Sequence, residues 1–112
     1  MYQAKSYTFD QVRTESEAAY TLALADAFNI YLRFTNAAPT ITIPADASVN
    51  FPIGSQIFIR QVGAALTITA AAGVDLNGTT AGSINGAAAY GVIILTKVAA
   101  NEWEAGGNYT TP

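Results

Sequence analysis

The amino-acid sequence predicts an all-β fold, organised as a single compact sandwich, jelly-roll-like or barrel domain with an extended N-terminal arm. From Tyr20 onward the apolar residues recur mainly with period two, which is typical of strands that bury one face. Turn signals separate these runs about every 8 to 12 residues, as in all-β sandwiches and barrels. The 112 residues suffice for one hydrophobic core. We therefore assign residues 1–17 to the arm and residues 18–112 to one β domain.

The arm differs in amino-acid composition from the rest of the chain. It carries five of the thirteen charged residues within its 17 positions, and it lies outside the repeating strand pattern. It also contains three aromatic residues, Tyr2, Tyr7 and Phe9, whose exposure to water would be unfavourable. The sequence therefore predicts that these three rings dock on a neighbouring subunit or on a larger assembly, while the β domain folds without them.

The first half of the β domain contains three alternating apolar runs. We predict that each run presents one face to the core: Tyr20, Leu22 and Leu24; Ile30, Leu32 and Phe34; Ile41 and Ile43. Pro44 ends the third run because proline cannot donate to a strand ladder. A short turn is the alternative to extended structure around residues 26–28, where helix-forming residues compete.

The second half contains three further strand signals. Ile57, Ile59 and Gln61 share one face, and Gly63 separates this run from residues 66–69, which predicts a hairpin. The run of residues 90–95 is continuously apolar or β-branched and is expected near the centre of a sheet. The last strand, residues 102–104, should direct Trp103 inward.

The composition restricts the possible functions. Only 12% of the residues are charged, about half the usual fraction, so part of the weakly charged surface is expected to be a subunit interface. The chain contains neither histidine nor cysteine, which removes the commonest general base, thiolate nucleophile and metal ligands. We therefore expect a protein that is not an enzyme, with no catalytic residues and no cofactor or metal.

Nucleic acid and membrane are not expected as partners. The net charge is −3 and the five basic residues are scattered singly, so the chain has none of the basic stripes that neutralise phosphates. The longest low-polarity run has about nine residues, whereas a membrane-spanning helix needs about 20. No signal peptide is evident at the N-terminus.

Three weak site signals have structural interpretations that we favour. Residues 75–78 resemble the start of a calcium loop, but the position that should close such a loop is Ser83, and a β-turn is preferred. Asp26, Asp46 and Asp75 could form an acid/base pair but each lies beside turn residues. Trp103 and the tyrosines could form a sugar-binding platform, although core or interface packing is favoured for them.

The chain resembles a family of small β modules found in bacteriophage virion proteins. An apolar strand ending at Pro44 leads through a small polar loop to Phe51-Pro52-x-Gly54-x-x-Ile57 and a second strand, and this arrangement is similar to that family's central segment. Residues 62–68 followed by residues 72–77 resemble its next hairpin, and residues 90–95 with Asn101-Glu102-Trp103 and residues 106–108 resemble its ending. The resemblance covers residues 20–108 and implies no catalytic residues.

The resemblance implies a virion structural protein made in the host cytoplasm. The expected role is a capsid decoration or cement protein that binds the major capsid protein on the outside of the shell, because the chain holds one module plus an arm. The alternative is a short tail-fibre or tail-tip protein that contacts tail proteins or host-surface glycans. Three-fold positions on shells and fibres imply a homotrimer.

Overall fold

The structure of this protein is a computed structural model and describes residues 8–112. The chain is nearly all β, as predicted, and forms two mixed sheets that pack face to face. Twelve strands follow one another in these residues, interrupted by one 3₁₀ turn at Leu24–Ala27: β1 Gln11–Glu15, β2 Ala19–Thr21, β3 Ile30–Phe34, β4 Thr40–Ile43, β5 Gln56–Gln61, β6 Thr67–Ala70, β7 Asp75–Leu76, β8 Thr79–Thr80, β9 Ser83–Gly86, β10 Val92–Ala99, β11 Glu102–Gly107 and β12 Tyr109–Thr110.

The first six strands wind between the two sheets. β1, β3 and β5 lie side by side and parallel in the seven-stranded sheet, whereas β2, β4 and β6 lie parallel in the five-stranded sheet. Each winding of the chain therefore adds one strand to each sheet, as in a short β-solenoid. The later strands complete the orders β1-β3-β5-β10-β11-β7-β8 and β12-β9-β6-β4-β2.

The predicted hairpin around Gly63 is wrong, because β5 and β6 belong to different sheets. Their connection follows the preceding β3–β4 connection: Val62 N–H donates to the Phe34 carbonyl at 3.0 Å and Ala65 N–H to the Ala37 carbonyl at 3.1 Å. Gly63 permits this close approach, since a Cβ there would lie 2.5 Å from the Asn36 carbonyl oxygen. Gly63 therefore lies where the β5–β6 connection packs along the β3–β4 connection, and not in a hairpin turn.

The core lies between the inner faces of the two sheets. The alternation predicted for β3, β4 and β5 is confirmed, since Leu32, Phe34, Ile41, Ile43 and Ile57 are fully buried. β10 is the fourth of seven strands, which confirms the central position expected for this run from Val92 onward. Tyr90, with φ of 62°, and Gly91 precede the strand. Trp103 is also fully buried and makes an edge-to-face contact with Phe51 at 5.2 Å.

Two predictions near the N-terminus need adjustment. Leu24 does not continue the face of Tyr20 and Leu22, because β2 ends at Thr21 and the 3₁₀ turn leaves Leu24 43% exposed. The turn itself agrees with the alternative considered for residues 26–28.

The arm assigned to residues 1–17 includes β1, which pairs with β3 over its whole length. No helix among residues 8–112 is long and apolar enough to cross a membrane.

Candidate functional site

The outer surface of the seven-stranded sheet, which we call the seven-stranded face, is the most distinctive surface of the molecule. Side chains alternate across a strand, so the residues between the buried ones point outward. The pairing register aligns five of them in one row across five strands: Val12, Tyr31, Phe58, Ile94 and Gly106. Val12 is 64% and Ile94 38% exposed. The row is therefore an apolar surface accessible to a partner.

An aromatic cluster forms the middle of this row. The rings of Tyr31 and Phe58 lie 4.8 Å apart, and Phe9 packs 5.3 Å from Tyr31 and 4.9 Å from Phe58. The Arg60 guanidinium lies 5.5 Å from the centre of the Tyr31 ring, and its Nε donates to the Tyr31 hydroxyl at 2.7 Å. Arg60 Nη1 also donates to the Tyr90 carbonyl at 2.6 Å. These contacts hold the cluster in a fixed arrangement.

Next to the cluster the face is open. A cavity of about 420 Å³ lies beside Phe9 and Phe58, with Asn29 and Gln56 contributing amide groups to its lining. Gly106 has no side chain at the end of the row, and a Cβ added there would contact nothing within 4 Å. The aromatic cluster therefore has a cavity beside it, and the row ends in open space at Gly106.

Charges on the seven-stranded face are segregated along the strand direction. Arg33 and Arg60 pair with one another across β3 and β5, on one side of the apolar row. Glu104 pairs with Thr96 on the opposite side of the row, and Glu102 lies one step further along β11. Within residues 8–112 none of these four side chains forms an ion pair. The face thus has a basic end and an acidic end, both unneutralised.

The outer surface of the five-stranded sheet, the five-stranded face, has a different chemistry. Its register forms two rows of small, uncharged and mostly hydroxyl-bearing residues: Ala19, Thr40, Thr67, Asn85 and Thr110; and Thr21, Thr42, Thr69 and Ser83. No charged residue belongs to either row. Threonine is a common occupant of solvated strand faces, so this surface is explained by strand propensity alone.

Asp26 is the centre of a buried polar cluster at the edge between the sheets. Its carboxylate is fully buried and accepts hydrogen bonds from Arg13 Nη2, from the Tyr20 hydroxyl at 2.9 Å and from the Ala23 N–H at 2.8 Å. Burial raises the pKa of Tyr20 above its ordinary value of 10.0, an effect that the nearby Arg13 cation opposes. Arg13 is on β1 and Tyr20 on β2, so the cluster joins the two sheets.

Asp46 belongs to a second buried cluster with Lys97. The Lys97 ammonium is 2% exposed and has three oxygen partners: Asp46 Oδ1 at 2.9 Å, Asn50 Oδ1 at 3.1 Å and the Phe51 carbonyl at 2.6 Å. Asp46 Oδ2 accepts from the Asn101 N–H at 3.0 Å. All of these groups satisfy one another, so the cluster fixes the β4–β5 connection against β10.

The calcium-like residues form a tight turn. Asn77 and Gly78 have φ values of 51° and 81° and connect β7 to β8, as in the two-residue hairpin loops that favour Asn-Gly. Asp75 Oδ1 accepts from the Thr80 hydroxyl at 2.8 Å. Among residues 8–112 no group of three or more acidic, histidine or cysteine side chains could hold a metal ion.

The aromatic residues suggested as a sugar platform are separated in the structure. Trp103 is inside the core, and the Tyr20 hydroxyl is bonded to Asp26. Tyr31 lies on the seven-stranded face, Tyr109 packs against the core, and Tyr90 is 63% exposed just before β10. Of the predicted docking residues, Phe9 lies against Tyr31 and Phe58 of its own chain, whereas Tyr2 and Tyr7 fall outside the described residues.

The seven-stranded face itself was not predicted from the sequence. Its residues come from five strands that are far apart along the chain, so alternation identifies each outward position but not its neighbours. The unusual presence of Tyr31, Phe58 and Ile94 at outward positions was the available signal. Comparison with protein-family models, with curated proteins and with solved structures finds no match for this chain.

Proposed function

We propose that this protein is a structural component of a bacteriophage particle, a decoration or cement protein that binds the major capsid protein on the outer surface of the shell. Two features of the chain support this role. The segment from Ile41 to Ile57 and the strands after it resemble a virion module. The low charge and the missing histidine and cysteine disfavour most enzymatic mechanisms.

The observation that carries the proposal is the seven-stranded face. An exposed apolar row with a rigid aromatic centre, bordered by four charges without ion-pair partners, is suited to protein contacts. The buried Arg13–Asp26 and Lys97–Asp46 clusters stabilise a rigid scaffold behind it. Rigid modules with preformed surfaces lose little conformational entropy on assembly.

The experiment that tests this role is localisation on purified particles. Gold-labelled antibodies against the protein should decorate the shell uniformly in electron micrographs. Label confined to the tail would contradict the capsid assignment and support the tail alternative. Absence of the protein from the purified particles, measured by mass spectrometry, would contradict a virion role altogether.

The arm can be tested by a shorter truncation than residues 1–17, because β1 belongs to the sheet. Deletion of residues 2–7 removes Tyr2 and Tyr7 and leaves every described strand. We expect an unchanged melting temperature and weaker attachment to particles that lack the protein. Normal attachment of the truncated protein would contradict a docking role for these two tyrosines.

The tail alternative is favoured by one feature, the cavity beside Phe9 and Phe58. Aromatic rings next to the Asn29 and Gln56 amides are a combination suited to sugars, since rings stack on apolar sugar faces and amides bind hydroxyls. Titration with host-surface glycans, followed by tyrosine and phenylalanine NMR signals, would detect such binding. A response that disappears in Phe58→Ala would support the tail role, and no response at millimolar glycan would exclude it.

A further inference from the structure

The arrangement of charges on the seven-stranded face points to a specific partner. The face has Arg33 and Arg60 at one end and Glu102 and Glu104 at the other, with the apolar row between them. A surface with opposite charges at its two ends is complementary to a second copy of itself turned by 180°. We infer that two copies of this chain pair through their seven-stranded faces. This inference rests on the proposed building-block role and names the partner at that surface.

The register of the sheet gives the relative positions of the arginines and glutamates that would pair between two copies. Arg60 and Glu104 are separated by two strands and by two outward positions along the strands, with Ile94 midway between them. Strands are about 4.8 Å apart and outward positions about 7 Å apart. A two-fold axis lying in the face and passing over Ile94 therefore places Arg60 of each copy opposite Glu104 of the other.

The same rotation accounts for the second pair of charges. Arg33 and Glu102 are three strands and three outward positions apart, and the midpoint between them falls close to the same diagonal axis. One axis thus brings two Arg–Glu pairs together in each half of the interface. With these spacings the strands of the two copies cross at roughly 70°, nearer to the orthogonal than to the aligned geometry of packed sheets.

The apolar row occupies the centre of this interface. Ile94 meets its own equivalent on the axis, and the Tyr31–Phe58 cluster packs beside it. Gly106 has no side chain, and a Cβ there would contact nothing within 4 Å, so there is space for side chains of the other copy. Buried apolar residues at the centre with charged pairs at the rim are the usual anatomy of a specific interface.

The inference is tested by the solution mass of the full-length chain. Sedimentation at increasing concentration should give a dimer that weakens with salt, because exposed charge pairs are screened. A monomer at millimolar concentration, or the trimer expected from the family resemblance, would overturn the inference. Either result would leave the virion role intact, since that role is tested independently by localisation on particles.

Charge exchange between copies provides the decisive control. The variants Arg33→Glu/Arg60→Glu and Glu102→Lys/Glu104→Lys should each be monomeric, and mixing them in equal amounts should restore a dimer containing one copy of each. A matched change on the five-stranded face, Thr40→Lys/Thr42→Lys, should leave the dimer intact. A wild-type-like dimer of Glu102→Lys/Glu104→Lys alone would overturn the proposed pairing, since neither glutamate side chain forms a hydrogen bond or ion pair within residues 8–112.

Discussion

Each of the two outer faces includes three adjacent parallel strands, yet the two faces differ in chemistry. On the five-stranded face, the parallel strands β2, β4 and β6 present rows of threonine and other small uncharged residues. On the seven-stranded face, the equivalent strands β1, β3 and β5 present Val12, Tyr31, Phe58 and two arginines. Strand propensity accounts for the first surface but not for exposed apolar and segregated charged residues. The difference therefore supports the binding role proposed for the second surface.

The two buried ion pairs behind the faces differ in which partner, the cation or the carboxylate, is the buried one. In the Arg13–Asp26 pair the carboxylate is fully buried and the guanidinium is 26% exposed, whereas in the Lys97–Asp46 pair the ammonium is buried and the carboxylate is 21% exposed. Removal of the more exposed partner leaves a buried charge without compensation. Substitutions in these ion pairs should therefore lower the free energy of unfolding more than substitutions on either outer face.

The largest effect is expected at the junction of the faces. Arg13→Met should lower the free energy of unfolding by about 3–5 kcal/mol, because the buried Asp26 carboxylate loses its cation. Asp26→Asn should cost less, since the released Arg13 can be hydrated. Chemical denaturation of both variants measures the difference, and an equal or larger loss for Asp26→Asn would contradict this interpretation of the cluster.

A smaller effect is expected from a single charge placed on each face. Ile94→Arg should weaken self-association by at least about thirtyfold, equivalent to the ~2 kcal/mol typical of a central interface residue. Thr42→Arg introduces the same charge at an outward position of the five-stranded face and should have no such effect. Sedimentation equilibrium compares the two; equal weakening by both substitutions would mean that the faces do not differ in function.

The sequence predicted the inward-facing residues much better than their neighbours across the sheets. Leu32, Ile41 and Trp103 were identified as core residues because alternation and burial depend on local spacing. The hairpin predicted at Gly63 was wrong because a glycine in a connection between two sheets and a glycine in a hairpin turn have similar neighbours in the sequence. The charge segregation on the seven-stranded face was inaccessible for a related reason: pairing between distant strands, such as Arg33 with Arg60, depends on topology.

The β7–β8 turn should show a modest, local effect outside both faces. Gly78 has φ = +81°, a conformation that costs a residue with a Cβ about 1–2 kcal/mol. Gly78→Ala should therefore lower the free energy of unfolding by about that amount while self-association is retained. Denaturation and sedimentation of the same sample check both statements, and a loss of the dimer would show that this edge contributes to the interface.

The smallest effect is the dependence of stability on alkaline pH. The pKa of Tyr20 is raised in the folded protein, chiefly by burial, so above pH 10.0 the unfolded chain releases this proton more readily than the folded one. The stability due to Tyr20 is present below pH 10.0 and is lost as the pH rises toward the folded pKa. Urea denaturation between pH 8 and 11 should show this loss, and Tyr20→Phe should show a smaller slope. Equal slopes would contradict the assignment.

The contrast between the two faces is tested most directly by hydroxyl-radical footprinting of the wild-type protein across its association range. With increasing concentration, oxidation of Tyr31, Phe58 and Ile94 should fall, because these side chains become buried in the dimer. Tyr109, on β12 of the other sheet, packs against the core of its own chain and should stay equally reactive throughout, as an internal reference. Unchanged oxidation of Phe58 and Ile94 across the association range would contradict the central claim that the seven-stranded face is the assembly surface.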